Sequence, residues 1–352
     1  MLQARYAPYR LHFKEPGGTS RGVLTYKDTY FVQVRDSAQP ARVGWGECAL
    51  FRGLGSDDDP RYEAVLAQAC RTIGEYEPAE FLSGLRAWSS LRFGFETALQ
   101  SLAGWRDYPS PFASGRQSIT INGLVWMGDS ETMLRRMEEK LQAGFGCIKL
   151  KIGAIDFDAE LRLLAAVRAR FDRSQVELRV DANGAFTPQN ALHKIERLAR
   201  YDLHSIEQPL PAGHPAEMAQ LCALSPVAVA LDEELVACRE VTPDYAARLL
   251  DEIRPHYIVL KPSLVGGLAG ASCWMEAARE RGIGWWITSA LESNVGLEAI
   301  ARYTASFTPL MPQGLGTGAL YTNNIPSPLR LSGDRLTYDP QGAWHYPELA
   351  WR

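Results

Sequence analysis

The chain has 352 residues, 46% of them hydrophobic and 22% charged, the proportions of a soluble globular protein, and a formal net charge of −4. That balance leaves no basic footprint for nucleic acid or an anionic membrane surface, no apolar run approaches the roughly 18 residues that span a bilayer, and the first ten residues lack the apolar core of a secretory signal. The reading is a cytoplasmic protein without nucleic-acid or membrane partners, long enough for a barrel of roughly 250 residues and a smaller companion domain.

Residues 1–115 read as an α+β domain. Strand-like alternation runs over residues 10–13 and 21–35, with residues 16–20 as a flexible turn between them, and a third strand-like piece at 43–48 leads into a Gly- and Asp-rich loop at 52–60. Helical periodicity covers residues 61–76 and 89–103, the second through Leu91, Phe95, Leu99 and Leu102. The two glycine-bearing loops are the expected mobile parts. Residues 109–115 read as a linker.

Beyond it, short apolar runs that end in charged or polar residues recur about every 25 to 30 positions, the length of chain that a strand, loop and helix consume. The first strand is expected at 118–122, followed by a helix over 129–143 capped by Asp129 or Ser130. The second is 147–153, its helix 158–171, and later strands end at Asp181, Glu207, Asp232, Lys261 and near Ser289, with 311–316 supplying an eighth. Residues 116–320 thus make the barrel, and 321–352, carrying Trp344 and Trp351, return to the first domain. The six cysteines lack paired metal-type spacing and read as reduced thiols.

In the second strand, Lys149 and Lys151 share one face while Ile148, Leu150 and Ile152 share the other. Such a strand is either an exposed edge defended by lysines or a barrel strand with helices outside and a site inside. The strand ends that follow favour the barrel. Asp181, Glu207 and Asp232 would converge on one rim, where three carboxylates repel unless a cation neutralises them, and an all-oxygen set selects a hard ion such as Mg²⁺, with Mn²⁺ as a substitute. Taken singly, each acid also reads as a turn, a strand-end cap or a helix N-cap; their even spacing argues for a joint role.

Lys261 would face Lys149 and Lys151 across the mouth. Lysines two apart on a strand are about 6.6 Å apart and repel by about 2.5 kcal/mol at an effective dielectric near 20, which with a neighbouring cation brings Lys151 toward the neutral form a general base needs. Lys261 would stay charged and stabilise developing negative charge. Proton removal beside a carboxylate is the chemistry this set permits, with Mg²⁺ stabilising the enediolate.

The pieces Lys149-Leu-Lys151, Arg179-Val-Asp181-Ala-Asn183, Ile206-Glu207-Gln208-Pro209, Leu231-Asp232-Glu233 and Leu260-Lys261-Pro262 resemble the enolase superfamily, muconate-lactonizing subgroup, across nearly the whole chain. Within it, the stretches 289–297 and 314–323 look most like the o-succinylbenzoate synthase family. The resemblance implies a (β/α)7β modified TIM barrel under an α+β capping domain. It assigns Asp181, Glu207 and Asp232 to the metal, Lys151 to the base and Lys261 to charge stabilisation, with Lys149, Arg179, Asn183 and Glu233 in support.

The implied reaction is a Mg²⁺-dependent syn dehydration of 2-succinyl-6-hydroxy-2,4-cyclohexadiene-1-carboxylate to 2-succinylbenzoate, a step of menaquinone synthesis, with cap loops near 17–21 and 50–55 closing over the succinyl arm. Ser263, Ser289 and Gly314, by their place at strand ends, are the expected contacts to its distal carboxylate, with Glu292 beside them. Two opposed lysines also suit racemisation of N-acylamino acids or epimerisation of dipeptides. The acidic pair by which dipeptide epimerases resemble one another is missing from residues 313–321, and no histidine base of the mandelate type occurs in 287–296. A barrel that binds a small acid without turning it over is the alternative from another class. The partner is a small carboxylate substrate; homo-oligomerisation is left open.

Overall fold

Alternating residues at the start of the chain build a long hairpin. Strand β1 (Leu2–Thr19) pairs antiparallel with β2 (Gly22–Asp36), which pairs with β3 (Val43–Cys48). The computed structural model describes residues 1–19, 22–308 and 310–352. The turn expected at 16–20 is strand through Thr19, with the register shifting between His12 and Gly17; Ser20 and Arg21 lie outside the described residues. Pro16, which has no N–H to donate, falls within that irregularity, where the register gives it no partner on β2.

Three helices cover this sheet: α1 (Tyr62–Thr72), α2 (Pro78–Gly84) and α3 (Ser89–Ala103). Helix α3 approaches β3 so closely that a side chain on Gly46 would collide with the carbonyl oxygen of Gly94, and one on Gly94 with the sulfur of Cys48. Only glycine admits that contact.

The expected first barrel strand is present but runs further and is shared. Strand β4 (Ile119–Thr120) pairs with the C-terminal hairpin, Thr120 O and Asn122 N bond to Gln313 in the barrel wall, and β5 (Gly123–Val125) continues the strand round the barrel. Seven βα units follow in order: β5 with α4 (Ser130–Gln142), β6 (Cys147–Lys151) with α5 (Phe157–Arg168), and β7 (Glu177–Asp181) with α6 (Ala191–Leu198). Next come β8 (Ser205–Glu207) with α7 (Pro215–Leu224), β9 (Val229–Leu231) with α8 (Glu233–Val236) and α9 (Pro243–Ile253), β10 (Tyr257–Leu260) with α10 (Gly267–Glu280), and β11 (Gly284–Ile287) with α11 (Asn294–Ala305). Strands β5 to β11 form one parallel sheet in sequence order. Gln313 bridges in parallel to Ile121, and Gly314 to Thr288, so this segment is the eighth strand that closes the ring.

The molecule is therefore a (β/α)7β modified TIM barrel with an N-terminal α+β cap. Ile148, Leu150 and Ile152 are buried between β6 and the helices, which leaves the lysines of that strand to the interior. The chain ends with the hairpin of β12 (Leu329–Ser332) and β13 (Arg335–Tyr338), then runs along the cap. There the Tyr346 ring stacks on Trp45 at 3.6 Å between centroids, and Arg352 N donates to Tyr6 O at 2.8 Å.

Candidate active site

Register sets the site. Lys151, Asp181 and Glu207 are cross-strand partners on β6, β7 and β8, so one base and two acids lie in one row at the C-terminal ends of these strands. Asp232 follows β9 directly and Lys261 follows β10, which extends the row round the mouth.

These groups meet in the interior. Lys149 Nζ donates to both carboxylate oxygens of Glu207, at 2.6 and 2.7 Å, and lies 2.9 Å from Asp181 Oδ2. Lys151 Nζ lies 3.1 Å from the same Asp181 oxygen and 2.6 Å from Asn183 Oδ1, and Asn183 Nδ2 donates to Glu233 Oε1 at 3.1 Å. Lys261 pairs with Asp232 Oδ2. Asp181, Glu207 and Asp232 are each at most 1% exposed, so their charges depend on these partners rather than on water.

The electrostatics follow from burial and crowding. Burial disfavours charge on Lys149, but Asp181 and Glu207 outweigh it and raise the ammonium above the usual lysine range. Burial would likewise raise Asp181, yet Lys149 and Lys151 hold it well below the usual carboxylate range. Burial, then Asp181, push Glu207 up, against the ammonium seated on its oxygens. Lys261 is raised because Asp232 and Glu233 overcome its desolvation.

Positive φ values occur just past two of these strand ends, 44° at Asn183 and 38° at Gln208. Such backbone persists only where its surroundings hold it. Gln208 supplies part of that hold: its Oε1 accepts from Asp232 N at 3.0 Å and Glu234 N at 3.3 Å, and its Nε2 donates to Leu210 O at 2.9 Å. No charge or spacing singled Gln208 out in the sequence; its place after Glu207 in the Ile206–Pro209 motif was the available signal.

The remaining expected site residues divide. Arg179 lies one row below the mouth, where it donates to Glu177 Oε1 at 2.7 Å and to Pro312 O at 2.9 Å and stacks over Trp286 at 4.4 Å. Glu292 is fully buried and accepts from Ser263 Oγ at 2.5 Å, from Ala290 N at 2.8 Å and from Ser289 Oγ. Ser289 and Gly314 line the cavity above the charged row; Ser263 does not. That cavity has a volume of about 410 Å³, and its walls include Leu24, Phe51, Leu54, Trp126, Leu291 and Leu320 from the cap and from loops after several strands. Most of these apolar wall residues were invisible as site residues in the sequence, because apolar side chains carry no functional signal until the fold gathers them.

A family model described as Enolase C-terminal domain-like matches residues 132–348. The chain belongs to the enolase superfamily. It is 46% identical to an o-succinylbenzoate synthase of Desulfotalea psychrophila, with 95% of this chain and 98% of the relative covered. The crystal structure of MenC from that organism superposes with a TM-score of 0.82 at 43% identity, over 96% of this chain and 99% of the other. An N-succinylamino acid racemase of Amycolatopsis sp. is 28% identical over 91% of this chain and 88% of its own length. A dipeptide epimerase from Cytophaga hutchinsonii, complexed with Mg and dipeptide D-Ala-L-Val, shares the fold at a TM-score of 0.84 and 17% identity, over 99% and 98% of the two chains.

Whether this site suits a divalent ion is decided by its donors. Among the described residues no three His, Cys, Asp or Glu side chains converge closely enough to ligate one ion as they stand. Ammonium groups hold the carboxylates instead: Lys149 on Glu207 and Asp181, and Lys261 on Asp232. Asp232 Oδ1 is nevertheless buried without a hydrogen-bond partner. Three buried carboxylates on adjacent strand ends, one with an unclaimed oxygen, are a hard-ion donor set, and the ammoniums supply the balancing charge.

Proposed function

We propose that this enzyme, a carbon–oxygen hydro-lyase, catalyses the o-succinylbenzoate synthase reaction, the syn dehydration of 2-succinyl-6-hydroxy-2,4-cyclohexadiene-1-carboxylate to 2-succinylbenzoate. The observation that carries it is the pairing of Lys151 and Lys261 with buried acids at one barrel mouth, in a chain 46% identical to a relative of that name.

Asp181, Glu207 and Asp232 are the residues we assign to Mg²⁺, with Mn²⁺ as a substitute; when bound, the ion supplies positive charge beside the ring carboxylate of the substrate. Lys151 takes the proton from the carbon bearing that carboxylate. The C–H electron pair moves into the ring, the neighbouring C–O bond breaks and the ring becomes aromatic. A syn elimination places the leaving oxygen on the face of the departing proton, so the Lys151 ammonium just formed is on hand to protonate it as water leaves. Lys261 stays an ammonium on Asp232 and stabilises negative charge as it develops. Lys149 keeps Glu207 and Asp181 in place, and Asn183 ties Lys151 to Glu233. The cavity volume of about 410 Å³ falls in the range for small ligands.

The same two lysines support N-acylamino-acid racemisation as a second activity. We further propose that residues 1–115 act as the cap, 116–320 as the catalytic barrel and 321–352 as a strap back to the cap. All six cysteines are free thiols, which supports a cytoplasmic setting. Among the described residues no helix is long and apolar enough to cross a membrane.

The test is an absorbance assay for aromatic product beside polarimetry with an N-succinyl amino acid. Aromatic product is expected, lost on chelation and restored by Mg²⁺. Reaction of the amino acid alone would replace the dehydration reading with the racemase one.

A further inference from the structure

The proposed substrate carries two carboxylates, and only one lies at the reacting carbon. An ionised carboxylate brought into an apolar cavity loses its hydration and needs a partner there. The strand-end hydroxyls are already engaged. Ser263 donates to Glu292 and lies outside the cavity lining, while Ser289 donates to Glu292 and accepts from Leu291 N at 3.1 Å and Thr317 Oγ1 at 2.7 Å. Neither has a donor left for an anion.

The cap supplies one. Of the described residues it contributes to the cavity lining, Leu24, Phe51, Arg52, Gly53 and Leu54, only Arg52 is charged. Its Nη1 donates to Asp58 Oδ1 at 2.7 Å, and Asp58 Oδ2 accepts from Gly53 N at 2.8 Å, so one acid fixes both the side chain and the loop that carries it. The preceding residue, Asp57, anchors the same loop to the first turn of α3 through Ser90 N and Oγ, at 2.8 and 2.7 Å. A guanidinium has five N–H donors, and Asp58 takes one. The planar fork that remains matches a carboxylate, and an arginine held in place by a partner loses less freedom when it binds.

We propose that Arg52 is a specificity-determining residue, which binds the distal carboxylate of the succinyl arm. The assignment rests on the dehydration reading above. The barrel holds the reacting carboxylate and the cap the remote one, so only a substrate with both acids engages both parts of the protein.

The experiment compares wild type, Arg52→Gln and Arg52→Lys by steady-state absorbance kinetics on the diacid substrate and on its analogue with the succinyl acid converted to the primary amide. Arg52→Gln should raise KM for the diacid at least tenfold, with a much smaller change in kcat, and leave KM for the amide within about twofold of wild type. Arg52→Lys should recover part of the loss. Unchanged KM for the diacid in Arg52→Gln overturns the assignment. So does an equal loss on diacid and amide, which would mean that the loop had merely shifted. A wild-type protein that forms no aromatic product overturns the dehydration reading itself, and active wild type with an unaffected variant overturns only the role of Arg52.

Discussion

Buried carboxylates serve two regions of this molecule in opposite ways. At the barrel mouth, Asp181, Glu207 and Asp232 face side-chain ammoniums. At the seam between cap and barrel, Glu47 and Glu96 face backbone amides. Glu47 accepts from Ser293 N and Gly296 N, both at 3.0 Å, and from Thr29 Oγ1 at 2.9 Å; Glu96 accepts from Leu268 N at 2.6 Å. Each seam acid of the cap thereby fills the N-terminus of a barrel helix, α11 or α10, whose first amides have no partner inside the helix. Backbone donors cannot swing away, so the seam is permanent. An ammonium on a four-carbon stem can turn to a substrate or yield to a cation, so the mouth can rearrange. The same burial and the same residue class give a fixed joint in one place and, on the function proposed above, chemistry in the other.

Three substitutions would break or sharpen that contrast. Lys151→Ala should have the largest effect, a loss of kcat of at least about a thousandfold, with folding and binding of 2-succinylbenzoate nearly intact by calorimetry. A variant that retains more than a few percent of the rate would remove Lys151 from the base role. Glu47→Ala should do the reverse. With the amide of Gly296 in α11 and that of its N-cap Ser293 left unpaired, it should cost about 3 kcal/mol in denaturant unfolding while kcat per folded molecule stays close to wild type. Lost activity without lost stability would put Glu47 among the reactive acids.

The smallest effect concerns pH. Burial, only partly offset by Arg92 and the amides of α10, raises the Glu96 carboxyl to about 7. Its folded form then holds a proton that the unfolded chain, with an ordinary carboxyl, has released. This contribution is complete below about pH 4.5 and is lost as pH rises through 7, a fall of about 3 kcal/mol at most. Thermal unfolding midpoints at pH 5 and pH 8 should show the decline, and Glu96→Gln should flatten it. An unchanged slope in the variant would assign the pH dependence to other groups.

The mouth was the more legible region. Strand periodicity and polar strand ends located Lys149, Lys151, Asp181, Glu207, Asp232 and Lys261, because a parallel barrel turns one-dimensional spacing into one rim. The seam was hidden. Glu47 and Glu96 meet partners more than 170 positions away, and nothing local distinguishes a buried helix-capping acid from an exposed one. Distance also explains what was missed at the first strand: Ile119 and Thr120 pair with Leu336 and Arg335, which arrive from the far end of the chain. Helix α2 was missed for another reason. Its seven residues are too few to show a period.

The interlock of Gly46 and Gly94 reaches beyond packing. With sheet and helix pressed backbone to backbone there, the cap has no internal joint along that line and keeps its shape as a plate. Any widening of the entrance then has to be absorbed at the rim of the plate, in the short span that carries Phe51, Arg52 and Leu54. Selection among incoming molecules would be settled by a handful of residues at its margin, while its body stays rigid.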